Sequence, residues 1–104
     1  MAEILITTVD NPRELAELYS EWVGHIPEFN GTSINSYWLG AKDEGKWVGA
    51  LQLIFIDDPI WDRRWTLVEN VFISNSYRRK GIAKKLMLGA ESMAIGYGCD
   101  FLKL

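Results

Sequence analysis

The strongest constraint in this chain is a change of hydrophobic period across a single glycine. Upstream of Gly81, Val68-Glu69-Asn70-Val71-Phe72-Ile73 is rich in β-branched and aromatic residues and reads as strand. Downstream, Ile82, Ala83, Leu86, Met87, Ala90, Met93, Ala94 and Tyr97 keep a three–four spacing, one apolar face of a helix. Asn75 and Ser76 suit the turn between them, and Gly96 and Gly98 offer stop signals. Cys99 to Leu104 then reads as another strand. A strand–helix–strand unit of this kind closes as a right-handed parallel crossover. The fold class is therefore α/β.

The upstream residues supply the rest of the sheet. Glu3 to Val9 reads as a short strand, with Ile4, Leu5 and Ile6 as a buried run. Asp10 or Asn11 caps a helix with Pro12 near its first position. Its apolar face is Leu15, Leu18, Tyr19, Trp22 and Val23, and Gly24 and Pro27 stop it. His25 to Asn35 reads as loop. Ser36 to Ala41 and Lys46 to Ile56 form a hairpin across Asp43-Glu44-Gly45. Asp57 to Arg64, polar and containing Pro59, reads as loop before a strand from Trp65 to Ile73. An antiparallel meander thus precedes the parallel crossover in one mixed sheet, and residues 1–104 form a single domain.

Charge is distributed unevenly. Asn70 to Ala90 holds five cations (Arg78, Arg79, Lys80, Lys84, Lys85) and no carboxylate, leaving six cations against fourteen anions elsewhere. A cationic island in an acidic chain is a candidate anion site. It also argues against nucleic acid, whose phosphate contacts need a broader basic face. No apolar run approaches the roughly 20 residues that span a bilayer. The N-terminus lacks a signal-peptide pattern, and the one cysteine, Cys99, makes no internal disulfide, so a cytoplasmic protein is expected.

Cations oppose the helix dipole at an N-terminus, by about 0.3–1 kcal/mol each when exposed. Charge alone favours a solvated helix start. In register with the preceding strand, however, the small residues Gly81 and Ala83 open the main-chain N–H groups to an anion. Arg78, Arg79, Lys80 and Lys84 then make physical sense around a bound polyanion.

The stretch Arg78-x-x-Gly81-x-Ala83 resembles the R/Q-x-x-G-x-G/A motif of the Gcn5-related N-acetyltransferase (GNAT) family. Leu67 to Ile73 is similar to that family's fourth strand. The resemblance follows the whole chain in order but covers only the N-terminal part of the family's fold, without its final helix and strands. It implies an acyl-CoA N-acyltransferase fold and an acetyl-CoA-dependent N-acetyltransferase. By that resemblance the amides of Arg79, Lys80, Gly81, Ile82 and Ala83 hold the CoA pyrophosphate, with Lys84 near the phosphates. Main-chain groups of Val71, Phe72 and Ile73 pair with the pantetheine arm. Arg78 opens the motif. The implied chemistry is direct attack of an amine on the thioester, with a base for the amine proton and main-chain N–H groups for the oxyanion.

Glu69 is the candidate base: beside apolar neighbours a carboxylate is raised toward neutral pKa. A solvent-facing or salt-bridged strand residue is the equal alternative. If alternation holds, Asn70 points away from Glu69; a bulge would change that. Tyr77 and Tyr97 read as packing residues, and the motif assigns no residue to the role of acid. His25, the lone histidine, is a loop or helix-end residue. Asp57, Asp58 and Asp62 lack metal-ligand spacing, so no metal is expected. Trp61 and Trp65 read as packing residues. The acceptor is a small-molecule or peptide amine. A homodimer through Cys99 to Leu104 is expected because that strand would present an unpaired edge. A non-catalytic acyl-CoA-binding or dimerisation module is the alternative function.

Overall fold

A computed structural model describes residues 3–27, 36–99 and 101–103. Five strands lie side by side in chain order: β1 (Leu5–Val9), β2 (Ser36–Asp43), β3 (Lys46–Asp58), β4 (Arg63–Ile73) and β5 (Phe101–Lys103). The first four pair antiparallel and β5 pairs parallel to β4, the mixed sheet expected from the sequence. Helix α1 (Ala16–Val23), entered through a 3₁₀ turn at Pro12–Leu15, covers one face, and α2 (Ile82–Gly96) covers the other. None of the described helices is long and apolar enough to cross a membrane.

Each face has its own core. Against α2, Ile82, Leu86 and Ala90 pack with Leu39, Ala41, Leu51, Leu53, Phe55 and Val68. Against α1, Leu15, Leu18 and Tyr19 pack with Val9, Ala50 and Phe72. Strand alternation distributes these residues between the faces. β1 is an edge strand and follows the alternation too, so Ile4 is buried while Leu5 is exposed, not part of a continuous buried run.

Two hairpins differ in how well their turns were legible. Glu44 and Gly45 both take positive φ, 49° and 82°, the twist that a two-residue hairpin needs. The β3–β4 connection is tighter than expected, because β3 and β4 extend into the segment read as loop. Asp57 pairs with Arg64 and Asp58 with Arg63, and Arg64 Nε lies 3.1 Å from Asp57 Oδ1. The opposite charges of Asp57 and Arg64 set across the strands favour that pairing. Ile60 and Trp61 stand at the tip, 84% and 70% exposed, so Trp61 does not pack into the core as expected. The reading of His25 to Asn35 as loop falls largely outside the described residues.

The feature that shapes the site is a bulge in β4. Phe72 pairs with Ala50 and Glu69 with Gln52, so Asn70 and Val71 span the interval that Leu51 alone spans on β3. Asn70 sits at φ 53°. The extra residue reverses the alternation: Val68 faces α2 before it, whereas beyond it Phe72 joins the α1 core and Ile73 packs on the α2 side. A second consequence follows from β5, which pairs with β4 only along Trp65 to Leu67. Among the described residues, β4 from the bulge to Ile73 lies outside that ladder, beside the start of α2.

Candidate functional site

The chain leaves β4 at Ile73 and reaches α2 through a tethered loop. Ser74 is buried, and its N–H donates to the Val48 carbonyl at 2.9 Å. Its hydroxyl donates to the Glu21 carboxylate at 2.8 Å, and the Asn75 N–H donates to the same group at 3.2 Å. A carboxylate on α1 therefore holds the end of β4 through charge-assisted bonds. Tyr77 is tied to the β2 end, its hydroxyl donating to Asp43 Oδ2 at 2.7 Å. That hydrogen bond to Asp43 raises the Tyr77 pKa above its ordinary value, with some help from desolvation. Arg78 folds back, its Nε donating to the Ile73 carbonyl at 3.1 Å while the guanidinium lies 5.4 Å from the Phe72 ring centre.

The loop then turns into α2 through two residues in the left-handed region, Arg79 at φ 63° and Gly81 at φ 78°. Gly81 is the N-cap, and no side chain caps the helix. A Cβ built at Gly81 would meet nothing within 4 Å, so the glycine faces open space. The first helical bond runs from the Lys85 N–H to the Gly81 carbonyl. The N–H groups before it form the free end of the helix, with its positive dipole.

These parts enclose a cavity of about 370 Å³, lined by Val71, Phe72, Ile73, Tyr77, Arg78, Arg79, Gly81, Ile82 and Ala83. The structure brings together almost every residue that the sequence reading assigned to the donor; Lys80 and Lys84 lie in the same turn and are exposed without lining the cavity. The Ile82 side chain is buried in the α2 core, so only its main chain is available there. Lys80 Nζ lies 5.4 Å from the Tyr77 ring centre.

Of the two surroundings weighed for Glu69, the structure shows the solvent-facing one: it is exposed, and its cross-strand neighbour is Gln52. Asn70 does not turn to the opposite face. Its Nδ2 donates to Gln52 Oε1 at 2.9 Å, as the bulge allows. Two residues went unrecognised as part of the site. Tyr19 of α1 donates its hydroxyl to the Asn70 carbonyl at 2.6 Å, and Glu21 holds Ser74 and Asn75. Both looked like ordinary helix residues, and their partners lie more than 50 positions away. Beside the bulge on the α1 side is a second concavity of about 250 Å³, lined by Tyr19, Trp22, Val23, Pro27, Trp38 and Asn70. Cys99 is half-buried and accepts from the Thr66 hydroxyl at 3.0 Å. Among the described residues no cluster of His, Cys, Asp or Glu could hold a metal ion.

The model of the acetyltransferase (GNAT) family matches residues 3–104. The chain belongs to that family. Solved structures agree with the GNAT fold at low sequence identity. A ribosomal-protein-alanine N-acetyltransferase from Brucella melitensis biovar Abortus 2308 superposes with a TM-score of 0.82 at 21% identity, covering 100% of this chain and 79% of that one. An aminoglycoside acetyltransferase from an uncultured soil metagenomic sample gives 0.81 at 19% identity, covering 95% and 74%. A transcriptional regulator from Bacillus halodurans C-125 gives 0.81 at 17% identity, covering 98% and 81%. At such identities the likeness speaks for the GNAT fold alone, one architecture shared by proteins of different activities. Compared with curated proteins, the sequence has no match.

Proposed function

We propose that this GNAT domain transfers the acetyl group of acetyl-CoA to an amine. The observation that carries the reading is the junction of the β4 segment beyond the β5 ladder with a helix start that no side chain caps, around a cavity of about 370 Å³. The amides of Arg79 to Ala83 would hold the pyrophosphate, where the dipole of α2 and the side chains of Arg79, Lys80 and Lys84 favour negative charge. The pantetheine arm would add to the sheet along Val71, Phe72 and Ile73. Arg78 contributes by fixing the loop through its bond to Ile73.

The reaction is a direct displacement. The amine nitrogen attacks the thioester carbonyl, the C–N bond forms and the C–S bond breaks. Glu69 accepts the amine proton, directly or through a water, and CoA leaves as a thiolate that takes its proton from solvent. A main-chain N–H at the bulge, that of Val71, would bind the developing oxyanion. The acceptor would enter by the concavity beside Tyr19 and Asn70, across the bulge from the donor.

A native-state ligand raises the unfolding midpoint. Acetyl-CoA is expected to raise it, and thiol release should then require an added amine. No shift at millimolar acetyl-CoA would sink the proposal. One observation favours a second reading, an acyl-CoA-binding module without turnover: Glu69, the candidate base, is exposed. Binding without thiol release across a broad amine panel would select it. For self-association we propose pairing through β5, the outer strand of the sheet; sedimentation of a dilute sample as a monomer would refute that.

A further inference from the structure

We infer that Tyr19 is a positioning residue for acetyl transfer, holding the β4 bulge so that the Val71 N–H faces the donor cavity. The inference rests on the reading of that cavity as the acetyl-CoA site.

Asn70 occupies the left-handed region at φ 53°, which asparagine tolerates better than other non-glycine residues. Two contacts hold it there. The Asn70 side chain donates to Gln52 Oε1 at 2.9 Å, which fixes the side chain. The Tyr19 hydroxyl donates to the Asn70 carbonyl at 2.6 Å, which fixes the peptide plane. A trans peptide is planar, so the Asn70 carbonyl and the Val71 N–H point in opposite directions. Tyr19 draws the carbonyl toward α1, and the N–H is turned away from α1. Val71 lines the donor cavity on the far side of the bulge.

Tyr19 is itself well held. The residue is 5% exposed, and its ring packs edge-on to Trp38 at 5.7 Å between centres, with Phe72 at 6.1 Å. Burial raises its pKa above the ordinary tyrosine value, so the hydroxyl stays a donor throughout the neutral range. Asn70 also lines the concavity proposed for the acceptor, so the peptide that Tyr19 fixes separates the two substrates. A buried tyrosine hydroxyl needs some partner in any case. The test must therefore separate catalytic alignment from simple satisfaction of a polar group.

Tyr19→Phe keeps the ring and removes the hydroxyl. The decisive measurement compares the affinities of acetyl-CoA and S-ethyl-CoA, which differ in the carbonyl that an aligned N–H would bind. The wild-type protein should prefer acetyl-CoA, and Tyr19→Phe should bring the ratio toward one while leaving S-ethyl-CoA affinity unchanged. Its kcat should fall by about 10- to 100-fold, less than the roughly 10²–10³ lost with an oxyanion donor itself, with the KM for the amine little changed. A variant that melts earlier but keeps both ratio and kcat would reduce Tyr19 to a structural role and overturn the inference. Wild-type protein that binds neither ligand would instead sink the acetyl-CoA reading and this inference with it. One readout needs no variant: the Val71 amide proton should shift more with acetyl-CoA than with S-ethyl-CoA, and equal shifts would also overturn the proposal.

Discussion

The two helices begin in opposite ways. The segment leading into α1 closes on itself: Asn11 accepts from the Arg13 N–H at 3.1 Å, Pro12 follows, and Glu14 and Glu17 bring negative charge to the dipole. At α2, Gly81 stands where a capping side chain would be, the first turn holds no acid, and cations surround it. The side-chain cap at the first end belongs to the 3₁₀ turn that runs into α1; α1 itself, like α2, has no side-chain cap. What sets the second end apart is its glycine and its cations, which on the proposed function leave its N–H groups for an outside anion.

The most severe way to break this comparison is to fill the space at the second helix start. Gly81→Val should lower acetyl-CoA affinity by at least about 100-fold, as measured by titration calorimetry. A branched Cβ would occupy the open side and strain a positive φ, at a stability cost of about 1–3 kcal/mol. Undiminished affinity would show that the phosphates lie elsewhere. A subtler change makes the second start resemble the first. Ala83→Glu places an acid in the first turn of α2, where it should stabilise the helix by about 0.3–1 kcal/mol. The same charge should weaken acetyl-CoA binding by about 10-fold at low salt, an effect that fades as salt rises. Melting and calorimetry on one sample would reveal the opposed signs.

The reciprocal change belongs to the other end. Asn11→Ala should cost about 1 kcal/mol of stability, a midpoint shift of about 4–8 °C for a domain of this size. Its acetyl-CoA affinity should match wild type. A loss of binding there would mean that the two ends are not independent. Glu69→Gln tests the chemistry rather than the grip: turnover should fall by about 10²-fold or more with acetyl-CoA affinity held.

What the sequence made legible was local in the chain. The basic turn, Gly81 and the stripe from Ile82 to Tyr97 lie within a few turns of one another, and period and turn chemistry read them directly. The Glu44-Gly45 hairpin was legible for the same reason. Asp57 to Arg64 was misread because Pro59 and polar residues resemble loop, whereas cross-strand pairs such as Asp57 with Arg64 only emerge once register is known. The bulge is illegible for a deeper reason: nothing in Glu69-Asn70-Val71 by itself says that Leu51 will face two residues. The two surroundings weighed for Glu69 could not be separated without that register, which sets it, exposed, opposite Gln52. Tyr19 was read correctly as part of an apolar face, but its hydroxyl partner comes from β4, which no helical period reveals.

The central claim is that main-chain N–H groups at the start of α2 grip the donor's diphosphate. Amide resonances followed by NMR during a CoA titration test it most directly. Large, saturable shifts should appear at residues 79–84, while those at residues 12–17, at the start leading into α1, stay in place. Saturable binding that leaves residues 79–84 unmoved would contradict the account.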